Sequence, residues 1–184
     1  MKYLENTVGC RSVIAGLLVF VGIALSACQS RPSPETHYYL LQASNHEVGR
    51  GIVEIAEVKM PAYLQAANLM MAVSDLEIRP AQYHLWSEPL QEGVRRVLEA
   101  ELVGQLKYVD KDVLPIRIDL EVELFHVTQS GDVLLKGGWR LQGEDGQGHL
   151  FSIKTGLEGN GYAEAARGHV RALELLAKAI AADL

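Results

Sequence analysis

From Ile116 to Leu124 the chain alternates without a break. Ile116, Ile118, Leu120, Val122 and Leu124 are apolar, and Arg117, Asp119, Glu121 and Glu123 between them are charged. Successive side chains of a strand point to opposite faces, so a period of two predicts a strand with one face on a core and the other in water. Ser130-Gly131-Asp132 predicts a turn into a second strand running through Leu134 to Leu141. Gly143 to Gly148 predicts another turn, into a third strand over Leu150, Ser152 and Ile153. Together these make an antiparallel meander.

Two other segments carry a helical period. From Ser87 onward Leu90, Val94, Val97, Leu98, Leu102 and Leu106 recur at three- and four-residue steps, the stripe of an amphipathic helix. Ser87 is the expected cap, Pro89 is tolerated in a first turn whose amides lack helical partners, and Glu88 and Glu92 suit the positive end of the dipole. Lys107 suits the other end. The chain closes on a second such stripe, Tyr162, Ala166, Val170, Leu173, Leu176, Ala177 and Ile180, with Asn160 as the expected cap. Its many alanines allow close approach to the layer beneath.

The first half reads as short strands. Thr36 to Gln42 predicts the first, and a polar turn from Ser44 to Gly51 follows. Ile52, Ile55 and Val58 predict a second, stopped by Met60-Pro61. Leu69 to Val73 and Leu76 to Arg79 are expected to pair before Pro80. The sum is one α/β domain, a mixed sheet with the meander, packed by two main helices. Trp86 and Leu90 are assigned to its core. Tyr63 and Leu64, with the strand-ending Pro61 before them, are the candidates for a partner-contact surface.

Ahead of this domain lies a different pattern. Lys2 and Arg11 precede an apolar run from Val13 to Leu25, then Ser26, Ala27 and Cys28. The run is too short to span a bilayer and fits a signal peptide over residues 1–27. Leu25-Ser26-Ala27-Cys28 is the pattern of a bacterial lipoprotein signal, in which the cysteine is lipidated and becomes the new amino terminus. Residues 28–36, with Gln29-Ser30-Arg31-Pro32-Ser33-Pro34, read as a polar tether, leaving 37–184 as the folded domain. One acyl chain holds a protein only marginally, so several chains on Cys28 make the durable anchor. Gln29 in place of Asp after the cysteine favours the outer membrane.

Removing Lys2, Arg11 and Glu5, a net charge of +1, takes the whole-chain charge of −6 to −7. An acidic domain without runs of Lys or Arg argues against nucleic acid. Cys10 leaves with the signal and Cys28 carries lipid, so neither disulfide, thiol nucleophile nor cysteine metal site is expected. His37, His46, His84, His126, His149 and His169 have no metal-ligand spacing, and each reads as an ordinary hydrogen-bonded residue. Gly156 to Gly161 lacks the Lys-Ser/Thr of a phosphate loop and reads as a flexible connection into the last helix. Asp119, Glu121 and Glu123 read as a solvated strand face. No catalytic residue, metal site or cofactor is expected, and the chain is read as not an enzyme.

Several strings resemble the ABC-type transport auxiliary lipoproteins, the PqiC-like family of MCE-system lipoproteins. They are the lipidated Cys28, Tyr38-Tyr39-Leu40, Val58-Lys59-Met60-Pro61-Ala62-Tyr63-Leu64, Leu85-Trp86-Ser87-Glu88-Pro89-Leu90 with Val94, Arg96 and Leu98, and Gly161-Tyr162-Ala163. The family often places an isoleucine or valine and then an arginine where this chain has Leu69-Met70-Met71-Ala72-Val73. The resemblance implies a fold of the anticodon-binding or TolB amino-terminal type. It also implies an outer-membrane lipoprotein facing the periplasm, which docks an MCE-domain tunnel protein in a lipid transport system. Self-association into a homo-oligomeric ring and contact with phospholipid are further expectations of it. Two other readings stay open: a lipoprotein binding lipid or a hydrophobic solute in an apolar pocket under the helices, and an envelope assembly factor.

Overall fold

The computed structural model describes residues 33–44, 53–106, 115–143 and 148–184, of which Glu35–Leu184 form one unit. The signal segment, Cys28 and the tether as far as residue 32 lie outside the described residues. So do most of the expected polar turn after Ser44, including His46, and Lys107.

The described strands are β1 (His37–Tyr39), β2 (Val53–Lys59), β3 (Asn68–Ala72), β4 (Ile78–Trp86), β5 (Ile116–Val127), β6 (Asp132–Leu141) and β7 (His149–Gly156). A 3-10 turn, Ala62–Gln65, separates β2 from β3. The helices are α1 (Leu90–Gln105) and α2 (Tyr162–Asp183). The sheet order is β1-β4-β3-β5-β6-β7, with β2 also paired to β5. The long β5 therefore serves two partners along one edge. Its first half pairs in parallel with β2, and its end meets β3 at Met71 and Val127. On its other edge β6 and then β7 follow antiparallel, the meander the alternation predicts.

If β5 runs upward, β3 does too, and β4 and β1 run down. The upper end of the sheet thus carries the β3–β4 turn, the β5–β6 turn, the end of β7 and the point where the chain enters β1.

Alternation on β5 holds as far as Glu123: Ile118, Leu120 and Val122 are buried, and Arg117, Glu121 and Glu123 are exposed. Leu124, expected on the buried face, pairs instead with the exposed Lys136 and is only partly buried. The outer row is paired, Arg117 with Glu54 at 3.0 Å, Arg140 with Asp119 at 3.2 Å and Lys136 with Glu123 at 3.0 Å. Exposed pairs of this kind contribute roughly 0–1 kcal/mol each, so the row keeps that face wet and does little to hold the fold. Between Val122 and Leu124 the register slips, after which Phe125, His126 and Val127 are all buried. Gly137 faces the slip, and a Cβ there would sit 2.0 Å from the Glu121 carbonyl oxygen. The bare backbone lets the two strands close.

Leu98, Leu102, Leu173, Leu176 and Ile180 are fully buried against Leu120, Phe125 and Leu135. Each such side chain stabilises by roughly 1.5–3 kcal/mol over its exposed state. Among the described residues these side chains form the core between the helices and the sheet. Trp86 and Leu90 belong to it, as expected.

A register shift in β2 between Ile55 and Glu57 leaves backbone groups for α1 to satisfy. The Ile55 amide donates to Glu99 at 3.0 Å, and Arg95 donates to the Ile55 carbonyl at 3.2 Å.

Several expected boundaries move for local reasons. β4 does not stop at Pro80 but runs through it to Trp86. Proline is tolerated because β1 pairs only with His84 to Trp86, leaving that side of Pro80 without a neighbouring strand. The expected strand from Thr36 to Gln42 shortens to His37–Tyr39, and after Tyr39 it has no partner on β4, which ends at Trp86. Ser87 does not cap α1: its amide donates to the Tyr39 carbonyl at 2.8 Å, and the cap is Pro89. Nor does Asn160 cap α2. The cap is Gly161 at φ 92°, a conformation that favours glycine, and Glu164 reaches back from the first turn to the Glu158 amide at 3.2 Å.

Candidate functional site

The expected contact residues lie on the 3-10 turn, and the turn is more deeply seated than its sequence suggests. Pro61 sets an extended entry at φ −64° and ψ 155°, and the Leu64 amide closes on the Pro61 carbonyl at 3.0 Å. This points Leu64 inward, where it is 2% exposed. Leu64 is therefore a core residue, and the expectation that it presents a surface is corrected. Tyr63 is half-buried, its hydroxyl 3.3 Å from Nδ1 of His126 and accepting the Phe125 amide at 3.4 Å. The surface of the turn is made by Ala62, Gln65, Ala66 and Ala67, with Pro61 partly exposed. Burial pushes the Tyr63 phenol up, opposed by the Phe125 amide, and pushes the His126 imidazole down. Both groups stay neutral near pH 7.

At the upper end, parallel pairing sets His37 directly beside His84. His84 stacks on Tyr162 at 3.6 Å between ring centres and on His37 at 5.1 Å, and lies 2.9 Å from the Tyr39 hydroxyl through Nδ1. This cluster joins β1, β4 and the start of α2. Desolvation and then the neighbouring His37 hold the His84 imidazole below its ordinary value. Residues 37, 84 and 162 are far apart in sequence, and only the β1–β4 register brings the two histidines together.

Beside the cluster, Glu164 gathers Arg171 at 2.7 Å, Arg167 at 2.9 Å and the Glu158 amide. The two guanidinium groups, Arg171 first, outweigh burial and hold its carboxyl at about 2. The Gly156 to Gly161 connection is thus tied to the start of α2 through the Glu158 amide. A groove of 460 Å³ runs from Tyr39 and Leu40 to Ala166 and Val170, with Arg167 and Arg171 at its rim.

The other two described histidines, His169 and His149, have structural partners. His169 is enclosed by Trp86 and Phe125, with Nδ1 2.7 Å from the Ala165 carbonyl. His149 stacks on Trp139 at 4.1 Å and pairs with Asp183. Among the described residues no group of three His, Cys, Asp or Glu side chains is placed to hold a metal ion. No described helix is long and apolar enough to cross a membrane.

The chain is similar to the intermembrane transport lipoprotein PqiC of Escherichia coli (strain K12), 26% identical over 162 residues, 80% of this chain and 85% of that protein. It is equally similar to PqiC of Shigella flexneri, again 26% identical, over 80% of this chain and 85% of that one. One crystal structure, of an uncharacterised protein, superposes with a TM-score of 0.70 at 24% identity, covering 82% of this chain and 99% of that one. A Xanthomonas campestris protein superposes with a TM-score of 0.59 at 9% identity, covering 78% and 92%. At these identities the structural likeness is one of fold. The family model of the ABC-type transport auxiliary lipoprotein component matches residues 39–181, from β1 into the last turns of α2, and the chain belongs to that family.

Proposed function

We propose that this protein is a non-catalytic component of an intermembrane transport system, held by lipid on Cys28 at the outer membrane and facing the periplasm. The match of nearly the whole folded domain to the auxiliary lipoprotein family carries this reading. Residues 1–27 act as the lipoprotein signal and 28–36 as the tether, supported by the Leu25-Ser26-Ala27-Cys28 string. On this reading the domain positions an MCE-domain tunnel protein at the membrane so that phospholipid crosses the last gap. The partner surface is the outer side of the 3-10 turn, with Pro61 and its exposed neighbours making contact. Tyr63 acts as the post that keeps the turn rigid. A ring of copies would multiply these contacts without any new chemistry.

The test is recovery of partners from detergent-solubilised membranes by the full lipidated chain. An MCE-domain protein should copurify, and should be lost on changing Ala62 and Gln65 to lysine in a folded variant. Recovery of no such protein sinks the docking part of the reading. The Cys28→Ser chain should be absent from the outer-membrane fraction while its domain stays folded. Native mass spectrometry of the lipidated chain reads out the ring and any bound phospholipid together.

A further inference from the structure

Leu76, at the tip of the β3–β4 turn, is 99% exposed. A single exposed leucine is ordinary on a protein surface. Here Val73 and Ile78, in the same turn, are exposed with it, so three large apolar residues lie within six positions. The backbone beneath them is held by its own bonds. The Val73 amide donates to the Glu77 carbonyl at 2.8 Å, and the Ser74 hydroxyl accepts the amides of Leu76 at 3.3 Å and Glu77 at 3.1 Å. With the amides of Val73, Ser74, Leu76 and Glu77 bonded within the turn, less is lost when the tip leaves water, and unpaired backbone is the main obstacle to placing a loop against lipid.

Position supplies the second half of the argument. β1 is parallel to β4, so the chain enters β1 from the end of the sheet that carries this tip. Between Asn68 and Met70 on β3, β4 advances from Leu85 to Pro80, so part of β4 is looped out and gains no height. Leu76 then stands only about 15 Å beyond His37 at ~3.3 Å per paired residue. The nine-residue step from Cys28 to His37 reaches up to about 30 Å when extended. An acyl-bearing Cys28 and the Leu76 side chain are therefore able to share one bilayer surface. Charge selects the kind of surface: Glu77 is paired with Arg79 at 2.7 Å and Asp75 adds a negative charge. That favours neutral headgroups and an apolar contact insensitive to salt.

We propose that the β3–β4 turn, led by Leu76, inserts into the lipid surface to which the chain is anchored, giving the domain a second membrane contact and a fixed orientation. The inference rests on the lipid anchor of the proposed function. The tip would make the domain stand on the membrane with its upper end down, leaving the opposite end of the sheet toward the periplasm.

The experiment uses the full lipidated chain reconstituted into phosphatidylcholine vesicles, with a polarity-sensitive fluorophore on Leu76→Cys or, separately, on Leu150→Cys. Leu150 is 86% exposed and lies near the start of β7, toward the other end of the sheet. The label at position 76 should shift to the blue and be quenched several-fold more by shallow spin-labelled lipids than the label at position 150, at low and high salt alike. A water-like label at position 76 on chains that float with the vesicles overturns the insertion and leaves the anchor standing. Chains that do not float, with no acyl mass on Cys28, overturn the anchor and the insertion together. A blue shift that appears only when a partner protein is added assigns the tip to protein contact and overturns the lipid proposal.

Discussion

The hydroxyl of Tyr63 lies 3.3 Å from Nδ1 of His126 and 3.4 Å from the amide of Phe125, so a loop residue between β2 and β3 is tied directly to β5. Accepting the amide leaves the phenol proton for the imidazole. That arrangement needs Nδ1 of His126 unprotonated, in keeping with burial holding its pKa down. The turn bridges the length of β5 that neither β2 nor β3 covers. Removing the hydroxyl with Tyr63→Phe leaves a part-buried amide and a ring nitrogen without a partner, and should cost about 1–3 kcal/mol. Leu64→Ala should cost about 2–5 kcal/mol, the range for emptying a packed site. Urea titration of the two variants measures both, and a Leu64→Ala protein as stable as the parent would mean that the turn is not part of the core.

Acid should loosen the domain before its carboxylates titrate. His169 is fully buried, and desolvation, opposed by its bond to Ala165, pushes its pKa from 6.5 down to about 4. Between these values the unfolded chain binds a proton that the folded chain does not, so stability falls as pH drops from 6.5 to about 4 and then levels off. The full contribution is about 3 kcal/mol at most. His126, also shifted down by burial, acts in the same sense. Chemical denaturation at a series of pH values should show the slope, and His169→Leu should flatten most of it.

Glu164 should set a second, lower acid transition. Its carboxyl sits at about 2 in the fold, against 4.5 without partners, because Arg171 and Arg167 hold it ionised. A depressed carboxyl contributes stability above 4.5 that is lost as pH falls toward 2. Glu164→Gln should lower the thermal midpoint at pH 7 by a few degrees and remove the dependence within that window. Amide exchange at Glu158 should quicken in the same variant, because its acceptor is weakened.

Gly137→Ala should be among the most damaging small changes. The added carbon would meet the Glu121 carbonyl oxygen at 2.0 Å, and that oxygen belongs to backbone which cannot rotate away. Loss of soluble protein, or a fall in stability of about 3 kcal/mol or more, is expected. Adding a methyl group at Gly143, where nothing lies within 4 Å, is a useful contrast because it tests only the strain of φ 88°. Equal behaviour of the two variants would mean that the β5–β6 register differs from the one described.

The strongly periodic elements were legible without a structure. Alternation on β5 and the leucine stripes of α1 and α2 are local patterns, and each had one way to bury its apolar side. The wet face of Arg117 to Glu123 and the core places of Trp86 and Leu90 followed from the same reasoning, and short strings sufficed to identify the family. The lipidation proposed at Cys28 rests on the linear string Leu25-Ser26-Ala27-Cys28 alone. Tertiary structure decided what depended on distant partners. Leu64 and Tyr63 look exposed after a proline until β5 is seen beneath them, and Ser87 looks like a cap until Tyr39 claims its amide. His37 and His84 met through the register of a three-residue strand, and Leu76 came to face outward because its turn lies at the end of a sheet. Local periodicity states which side of an element is apolar, but which element covers it is set by chain segments tens of residues away.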